Sequence, residues 1–174
     1  RGYQHWGLGT LLRRAAGMFA FALWDDRAGK LFLVRDRAGK KPLYFADDGG
    51  VLSFGSELAA VQALRPKRAQ ISKEGLEAFL TLKFAPSPLS LIDGLQKVPP
   101  GHYLEDGPKG RRLMPYWTPL GGVAPENPGE AVDEALGVAC ARRLVSDVPV
   151  SLFLSGGVDS SLVAAIALLI QADS

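Results

Sequence analysis

The segment SGGVDSS, residues 155–161, follows a short apolar run, residues 150–154, and overlaps the start of a longer, mostly apolar segment, residues 159–171. The first run has the length of a buried strand and the second has the length of a helix. Two adjacent glycines between them allow a sharp turn of the backbone. Together with the helix predicted at residues 130–145, this order of helix, strand, turn and helix is typical of a layered α/β domain with a parallel sheet.

The same segment has the residues of a phosphate-binding loop. The first turn of a helix carries unpartnered N–H groups and partial positive charge. Ser155, Ser160 and Ser161 supply hydroxyl donors, and Asp159 either caps the helix or helps to hold a metal ion beside the phosphates. No lysine follows the glycines, which argues against the GxxxxGK[ST] loop that binds a γ-phosphate. Amides and hydroxyls suit release of pyrophosphate, and therefore attack at the α-phosphorus of ATP. The alternative is an ordinary turn in which Asp159 or Ser160 is the N-cap.

Composition narrows the class of protein. The 174 residues are 47% hydrophobic and 22% charged, which is enough for a core and argues against a disordered tail. A net charge of +2 without a long basic block gives no reason to expect nucleic acid. No apolar run is long enough to span a membrane. A single cysteine, Cys140, and no secretory leader favour a cytoplasmic location.

The first part of the chain is predicted to be α+β. Apolar spacing predicts a helix at residues 3–16, and turn residues separate four short strands that we expect to form one antiparallel meander. Helices are expected at residues 56–64 and from Ser72, and a proline-rich loop at residues 85–101. The four strands are at residues 18–24, 30–35, 42–46 and 51–54, and two weaker ones follow at residues 102–105 and 112–117.

A proline- and glycine-rich stretch divides the chain. We expect a first domain at residues 1–118, a linker at 119–129 and an incomplete second domain at 130–174. The second segment is too short to close a core of its own. Because the chain begins with Arg1 and ends just after an apolar helix, we expect a fragment.

Six segments in order resemble one family. They are GMFAFALWD (17–25), RDRAGKKPLYF (35–45), SELAAV (56–61), VPPGHYL (98–104), SDVPV (146–150) and SGGVDSS (155–161). In these residues the chain resembles the glutamine-dependent asparagine synthetases. The resemblance implies the later half of an N-terminal-nucleophile (αββα) glutaminase domain, with two stacked antiparallel sheets between helices. It then implies the opening of a pyrophosphate-loop ATPase domain of the adenine nucleotide hydrolase type, with a parallel sheet.

The resemblance also implies an activity. Glutamine is hydrolysed in the first domain, and its ammonia converts aspartate, activated by Mg-ATP as β-aspartyl-AMP, to asparagine. The substrates it implies are aspartate, glutamine and ATP, the last with its Mg, and it implies no prosthetic group. It implies no nucleic-acid or membrane partner, and a possible homodimer. The residues carried over as the ATP and pyrophosphate site are Phe153, Leu154, Ser155, Gly156, Gly157, Asp159, Ser160 and Ser161; Phe153 stands where the family commonly has Leu.

The chain departs from the family at the glutaminase site. Residue 1 is Arg where the family has its nucleophilic Cys, and the Asn-Gly-Glu segment and the Asp that binds the substrate amine are missing. Cys140 lies inside a predicted helix and cannot replace the nucleophile. We therefore expect no catalytic glutaminase residue in this chain and neither half-activity from it alone.

Three alternatives remain open. The same architecture can serve another acceptor, forming β-lactams or amides of peptides or surface sugars, or the protein is a decayed, non-catalytic remnant. Pyrophosphate-loop enzymes that make NAD, GMP or argininosuccinate share SGGxDS but do not explain the upstream segments.

Arg35 and Asp36 are interpreted as a strand end that organises the sheet, and Asp25 and Asp26 as turn formers.

Overall fold

The computed structural model describes residues 1–120, 122 and 124–172. The chain divides into two compact units, Arg1–Leu120 and Gly121–Ser174. Gly121 and Val123 of the predicted linker, and Asp173 and Ser174 at the end of the predicted second domain, lie outside the described residues.

The first unit contains three helices and two antiparallel sheets. One sheet has the strand order β1-β2-β6-β7 and the other has the order β4-β3-β5. The helices are α1 (Gly2–Arg14), α2 (Leu58–Leu64) and α3 (Lys73–Leu82). The strands are β1 (Ala20–Asp25), β2 (Lys30–Arg35), β3 (Tyr44–Asp48), β4 (Val51–Gly55), β5 (Leu95–Lys97), β6 (His102–Gly107) and β7 (Gly110–Pro115).

The prediction of one four-stranded meander is wrong. The first two hairpins belong to different sheets: β2 pairs with β6, and β3 pairs with β5. The reason is that β2 is apolar on both faces, so it needs a packed layer on each side, and the second hairpin supplies one by stacking. A further difference is β5, which lies inside the segment predicted as a loop.

Three apolar clusters show the order of the layers. Leu12 of α1 packs with Phe32 and Val34 on one face of β2. Leu33, on the other face, packs with Phe45 of β3 and with Leu104. Val61 of α2 then packs against the far side of the second sheet. The first unit is therefore built as helix, sheet, sheet and helix.

The hairpin between β3 and β4 turns in two residues. Gly49 and Gly50 both have positive φ, 67° and 92°, and Asp48 pairs directly with Val51. Two consecutive positive φ values define the turn whose twist matches a hairpin, and glycine adopts them without strain. This glycine pair therefore fixes the register of the second sheet's first hairpin.

Asp36 and Arg35 hold together the loops at the end of β2. The buried Asp36 carboxylate accepts hydrogen bonds from the backbone N–H groups of Phe19, Lys40 and Lys41 at 2.9–3.2 Å, and from a fourth at Ala38. Burial raises the pKa of Asp36, but these four donors outweigh it, and the net pKa lies below its ordinary value. All four hydrogen bonds to the Asp36 carboxylate come from backbone N–H groups, which agrees with the interpretation of Asp36 as a structural residue.

The Arg35 side chain extends the same network to a distant loop. Its guanidinium donates to the carbonyl oxygens of Gly39, Lys41 and Val98 at 2.7–2.9 Å and to the hydroxyl of Ser87 at 3.2 Å. A planar group with five donors can bind several acceptors at once. Arg35 thereby fastens residues 87 and 98, far along the chain, to the turn that follows β2.

The second unit consists of two helices, α4 (Pro128–Leu144) and α5 (Val158–Ala172), that pack on each other. Residues 128 and 129, predicted as linker, form the first turn of α4, where proline is favoured. Residues 150–154, predicted as a strand, are not one, because no described residue pairs with them. The parallel sheet expected for this unit is therefore absent from the described residues. None of the helices described is long and apolar enough to cross a membrane.

Candidate functional site

The SGG loop, residues 155–161, turns the chain from the extended segment into α5. Gly156 has a φ of 79°, a conformation that glycine adopts without a steric cost, and Gly157 directly precedes the helix. The carbonyl of Gly157 accepts the N–H of Ser161 at 3.1 Å, which is the first bond of the helix. The local fold therefore agrees with a glycine turn leading into a helix N-terminus.

Two serine side chains close this turn. The Ser160 hydroxyl donates to the carbonyl oxygen of Gly157 at 3.1 Å, and the Ser155 and Ser160 hydroxyl oxygens are 3.0 Å apart. Ser160 is therefore not an N-cap, because an N-cap side chain accepts from a backbone N–H rather than donating to a carbonyl. The structure brings together four of the predicted site residues: Ser155, Gly156, Gly157 and Ser160.

The other predicted residues lie beside this group. Asp159 and Ser161 are in the first turn of α5, and neither side chain makes a hydrogen bond to a described residue. Asp159 therefore does not cap the helix either. Phe153 and Leu154 precede the loop in extended backbone; the Phe153 side chain is fully exposed and that of Leu154 is 65% exposed. The structure does not bring Phe153 or Leu154 into contact with the loop's polar groups.

Hydrogen-bond donors are available at this turn. The N–H groups of Val158, Asp159 and Ser160 stand in the first turn of α5, where helix geometry provides no acceptor. Within the described chain no side chain accepts from them either. Val158 and Asp159 are exposed and Ser160 is half-buried, and the helix adds partial positive charge at this end. The arrangement is chemically suited to an anion such as a phosphate.

A metal ion bound beside phosphates would need a carboxylate ligand from the loop. Among the described residues no cluster of three or more His, Cys, Asp or Glu side chains is placed to hold a metal ion. Mg²⁺ in nucleotide sites is commonly held by one or two carboxylates together with phosphate oxygens. Asp159, whose carboxylate has no partner among the described residues, is the residue of the loop that can provide one.

The first unit has a cavity of about 660 Å³ that the sequence did not indicate. Its wall includes Tyr3, Asp25 and Glu105, which are far apart in sequence. The Tyr3 hydroxyl donates to Asp25 at 2.5 Å, which raises the pKa of Tyr3 to about 12 and lowers that of Asp25. Asp25 also accepts the N–H groups of Arg27 and Ala28, and Glu105 pairs with Lys30 at 3.0 Å. Both carboxylates therefore already have hydrogen-bond or ion-pair partners within the first unit. Asp25 forms its turn as predicted.

Comparison with known proteins identifies both parts of the chain. Residues 1–117 match the profile of a family described as a glutamine amidotransferase domain, and residues 131–173 match that of asparagine synthase. The chain belongs to the family of glutamine-hydrolysing asparagine synthetases.

Curated proteins named as asparagine synthetases match most of this chain. The chain is 36% identical over 159 residues to asparagine synthetase [glutamine-hydrolyzing] 3 of Bacillus subtilis, covering 87% of this chain and 25% of the relative. It is 34% identical over 180 residues to a putative asparagine synthetase of Mycobacterium tuberculosis H37Rv, covering 96% and 27%. A putative asparagine synthetase of Methanocaldococcus jannaschii is 36% identical over 154 residues, covering 84% and 30%. The chain thus spans between a quarter and a third of the length of these relatives.

Proposed function

We propose that the SGG loop binds the phosphates of Mg-ATP and that the protein makes asparagine from aspartate with ammonia taken from glutamine. The observation that carries the proposal is the exposed turn at the start of α5, with free backbone N–H groups, two glycines and no lysine. Membership of the asparagine synthetase family supports the choice of aspartate and glutamine as substrates.

The proposed reaction has two steps at the second unit's site. A β-carboxylate oxygen of aspartate attacks the α-phosphorus of ATP. The bond between that phosphorus and the oxygen that bridges it to the β-phosphorus breaks, and the bridging oxygen leaves as part of pyrophosphate. Ammonia then attacks the acyl carbon of β-aspartyl-AMP, the acyl C–O bond breaks, and AMP leaves with the electron pair of that bond. The nitrogen releases one proton to solvent, which gives asparagine. The N–H groups at the start of α5 lower the barrier of the first step because they stabilise the charge that develops on the departing pyrophosphate.

Individual residues have distinct proposed roles. Gly156 and Gly157 let the backbone approach the phosphates, since no side chain stands in the way. Asp159 holds the magnesium ion, which neutralises phosphate charge when bound. Ser155, Ser160 and Ser161 belong to the same loop. Phe153 and Leu154 are proposed to lie beside the adenylate.

The first unit is proposed to be part of a glutaminase domain of the N-terminal-nucleophile type. The order helix, sheet, sheet and helix and the match to a glutamine amidotransferase profile support this. A cytoplasmic homodimer belongs to the same proposal and rests on family membership alone.

The test uses the full-length gene product and measures pyrophosphate release that depends on aspartate, with glutamine hydrolysis measured separately. Asp159→Ala should lower pyrophosphate release by about 100-fold or more while glutamine hydrolysis continues, as expected when one charged group of a transition-state site is lost. Asp147→Ala is the control, since Asp147 is exposed and lies outside the loop. Pyrophosphate release near the wild-type rate in Asp159→Ala would contradict the assignment of the loop.

A second candidate is the same chemistry on a different acceptor. One relative, 33% identical over 172 residues, is named Amidase chry2 of Gibberella zeae, so not every relative of this chain is named for asparagine. The same pyrophosphate assay separates the two: release that requires aspartate supports the first candidate, and release with another carboxylic acid but not aspartate supports the second.

A further inference from the structure

The cavity of about 660 Å³ in the first unit has an aromatic wall. The rings of Tyr3 and Tyr103 each lie beside the buried Phe32 ring, with centroid distances of 5.9 Å and 6.1 Å. All three residues line the cavity, whose volume is that of a site for a small organic molecule. The face of an aromatic ring carries partial negative charge and attracts cations. The wall therefore favours a ligand that is both organic and positively charged.

Carboxylates add negative charge to the same cavity. The described wall has three of them, on Asp25, Asp26 and Glu105, against one guanidinium, that of Arg27. Glu105 forms ion pairs with a lysine and an arginine, which balance its charge. No described residue forms an ion pair with Asp25 or Asp26, whose side-chain partners are a hydroxyl, an indole and backbone N–H groups, all of them neutral. Two negative charges at the cavity are therefore not balanced by a direct contact.

Asp25 and Asp26 also have acceptor positions left. A carboxylate oxygen accepts up to two hydrogen bonds. Oδ1 of Asp25 accepts two backbone N–H groups, whereas Oδ2 accepts only the Tyr3 hydroxyl from the described residues. Asp26 accepts the Trp24 indole N–H on Oδ1 at 3.4 Å, and no described residue donates to its Oδ2. A ligand with N–H donors therefore finds charged acceptors at this cavity.

These rings and carboxylates define the aromatic–acidic cavity, lined by Tyr3, Asp25, Asp26, Phe32 and Tyr103. We propose that it binds a small organic cation whose charged group carries N–H donors, that is, a primary ammonium or a guanidinium. The charged group donates to Asp25 and Asp26, and the aliphatic part of the ligand lies against the rings. The two carboxylates repel an anion. The site lies wholly within the first unit, so the proposal does not depend on the SGG loop.

Three probes of similar length and different charge test the proposal in the full-length gene product. They are butylammonium, 1-butanol and butyrate, and ligand-observed NMR measures the Kd of each. Butylammonium should bind most tightly, because it alone combines a positive charge with several N–H donors. Equal affinity for 1-butanol would show a cavity that is merely apolar. Tighter binding of butyrate would show the opposite preference for charge, and either result would overturn the proposal.

Charge variants locate the binding. Asp26→Asn should raise the Kd of butylammonium about two- to five-fold, the usual effect of one exposed charge. Arg27→Gln should lower it by a similar factor, because a like charge is removed. Asp147→Asn is the control, since Asp147 is exposed and belongs to the second unit. If neither Asp26→Asn nor Arg27→Gln changes the Kd more than this control does, the proposal is wrong.

The urea midpoint separates lost binding from lost folding. Asp26 is exposed and its side chain accepts one long hydrogen bond, so Asp26→Asn should keep the wild-type midpoint. Weaker binding by this variant is then an effect on the cavity's charge.

A pair of variants at Tyr103 tests the aromatic wall. Tyr103→Phe keeps the ring and removes a hydroxyl that bonds to no described residue, so it should bind butylammonium like wild type. Tyr103→Leu removes the ring and should raise the Kd about two- to five-fold. Equal Kd values for the two variants would overturn the proposed aromatic wall.

The outcomes also separate this site from the proposed function. A full-length protein that binds no butylammonium, as when another segment fills the cavity, would overturn the proposal. Pyrophosphate release that depends on aspartate would still support the proposed function in that case.

Discussion

Replacing Asp36 by Asn is expected to unfold the first unit at much lower urea concentrations. The carboxylate is 1% exposed, and each oxygen accepts two backbone N–H groups: one binds Ala38 and Lys40, the other Phe19 and Lys41. An asparagine side chain keeps a single acceptor oxygen and presents an NH₂ group in place of the other. Two N–H donors then face another donor, and the negative charge that strengthened all four bonds is lost.

The size of the effect follows from the two orphaned donors. Each buried donor left without an acceptor costs about 1 to 3 kcal/mol, so the substitution should cost about 2 to 6 kcal/mol. Since domains of this size are stable by only about 5 to 15 kcal/mol, the loss is a large fraction of the total. With ordinary urea sensitivities, the midpoint should fall by about 1 M or more.

Tryptophan fluorescence during urea unfolding measures this change in the relevant unit. All three tryptophans, Trp6, Trp24 and Trp117, lie in the first unit. Asp26→Asn is the control, because Asp26 is exposed and its side-chain contact is a 3.4 Å hydrogen bond from Trp24. Its free energy of unfolding should change by less than about 0.5 kcal/mol. A midpoint for Asp36→Asn that matches this control would refute the assigned role of the four donors.

The same prediction has a pH dependence. The pKa of Asp36 is lowered in the folded chain, so its contribution is fully present above the ordinary aspartate value of about 3.9 and is lost as pH falls below it. The difference in free energy of unfolding between wild type and Asp36→Asn should therefore be constant from pH 7 to about pH 5. It should narrow at more acidic pH, where the wild-type carboxylate becomes protonated.

Two further substitutions test local packing and charge. Gly75→Ala should destabilise the first unit by about 1 to 3 kcal/mol, because the new Cβ would lie 1.9 Å from the Ser90 carbonyl oxygen. This loss is expected although alanine favours helices. The control is Gly137→Ala, whose Cβ would have nothing within 4 Å and which should be neutral or stabilising in a thermal melt. Asp48→Asn removes the buried partner of Arg65, whose Nε lies 2.7 Å away and lowers the pKa of Asp48 to about 2. Its urea midpoint should be below wild type at pH 4 to 7, and the difference should become much smaller as pH falls from about 4 to 2. A difference that is unchanged at pH 2 would argue against the ion pair.

Local sequence patterns predicted the elements of the first unit well. The hairpin of β1 and β2 follows from two apolar runs around a turn of Asp and Gly residues, and Asp25 forms that turn by accepting the N–H groups of Arg27 and Ala28. The helix start at Ser72 follows from its capping hydroxyl, which accepts the N–H of Gly75 at 3.1 Å. These features depend on residues a few positions apart, so a single sequence contains the information.

Features that depend on distant residues were not predictable in this way. Whether the second hairpin extends the first sheet or stacks on it depends on Leu33 meeting Phe45 and Leu104, contacts that no local pattern reports. The short strand β5 forms because β3 offers an open edge to Leu95 and its neighbours. Likewise the contact between Tyr3 and Asp25 joins residues that no motif connects.

The candidate site combines both kinds of information. Its helix side is encoded locally: Gly156 has the conformation that turns the chain, and Ser160 bonds a carbonyl three residues earlier. Its strand side is not encoded locally. Residues 150–154 have the composition of a strand, but they form a strand only when a neighbouring strand exchanges backbone hydrogen bonds with them. In the described residues that ladder is absent, and Phe153 and Leu154 are exposed. The glycine turn and the helix N-terminus are therefore set by this segment's own residues, whereas the position of the proposed adenylate contacts depends on sheet formation. Substitutions in the loop should accordingly change phosphate binding, and substitutions at Phe153 should change affinity for ATP without changing affinity for pyrophosphate.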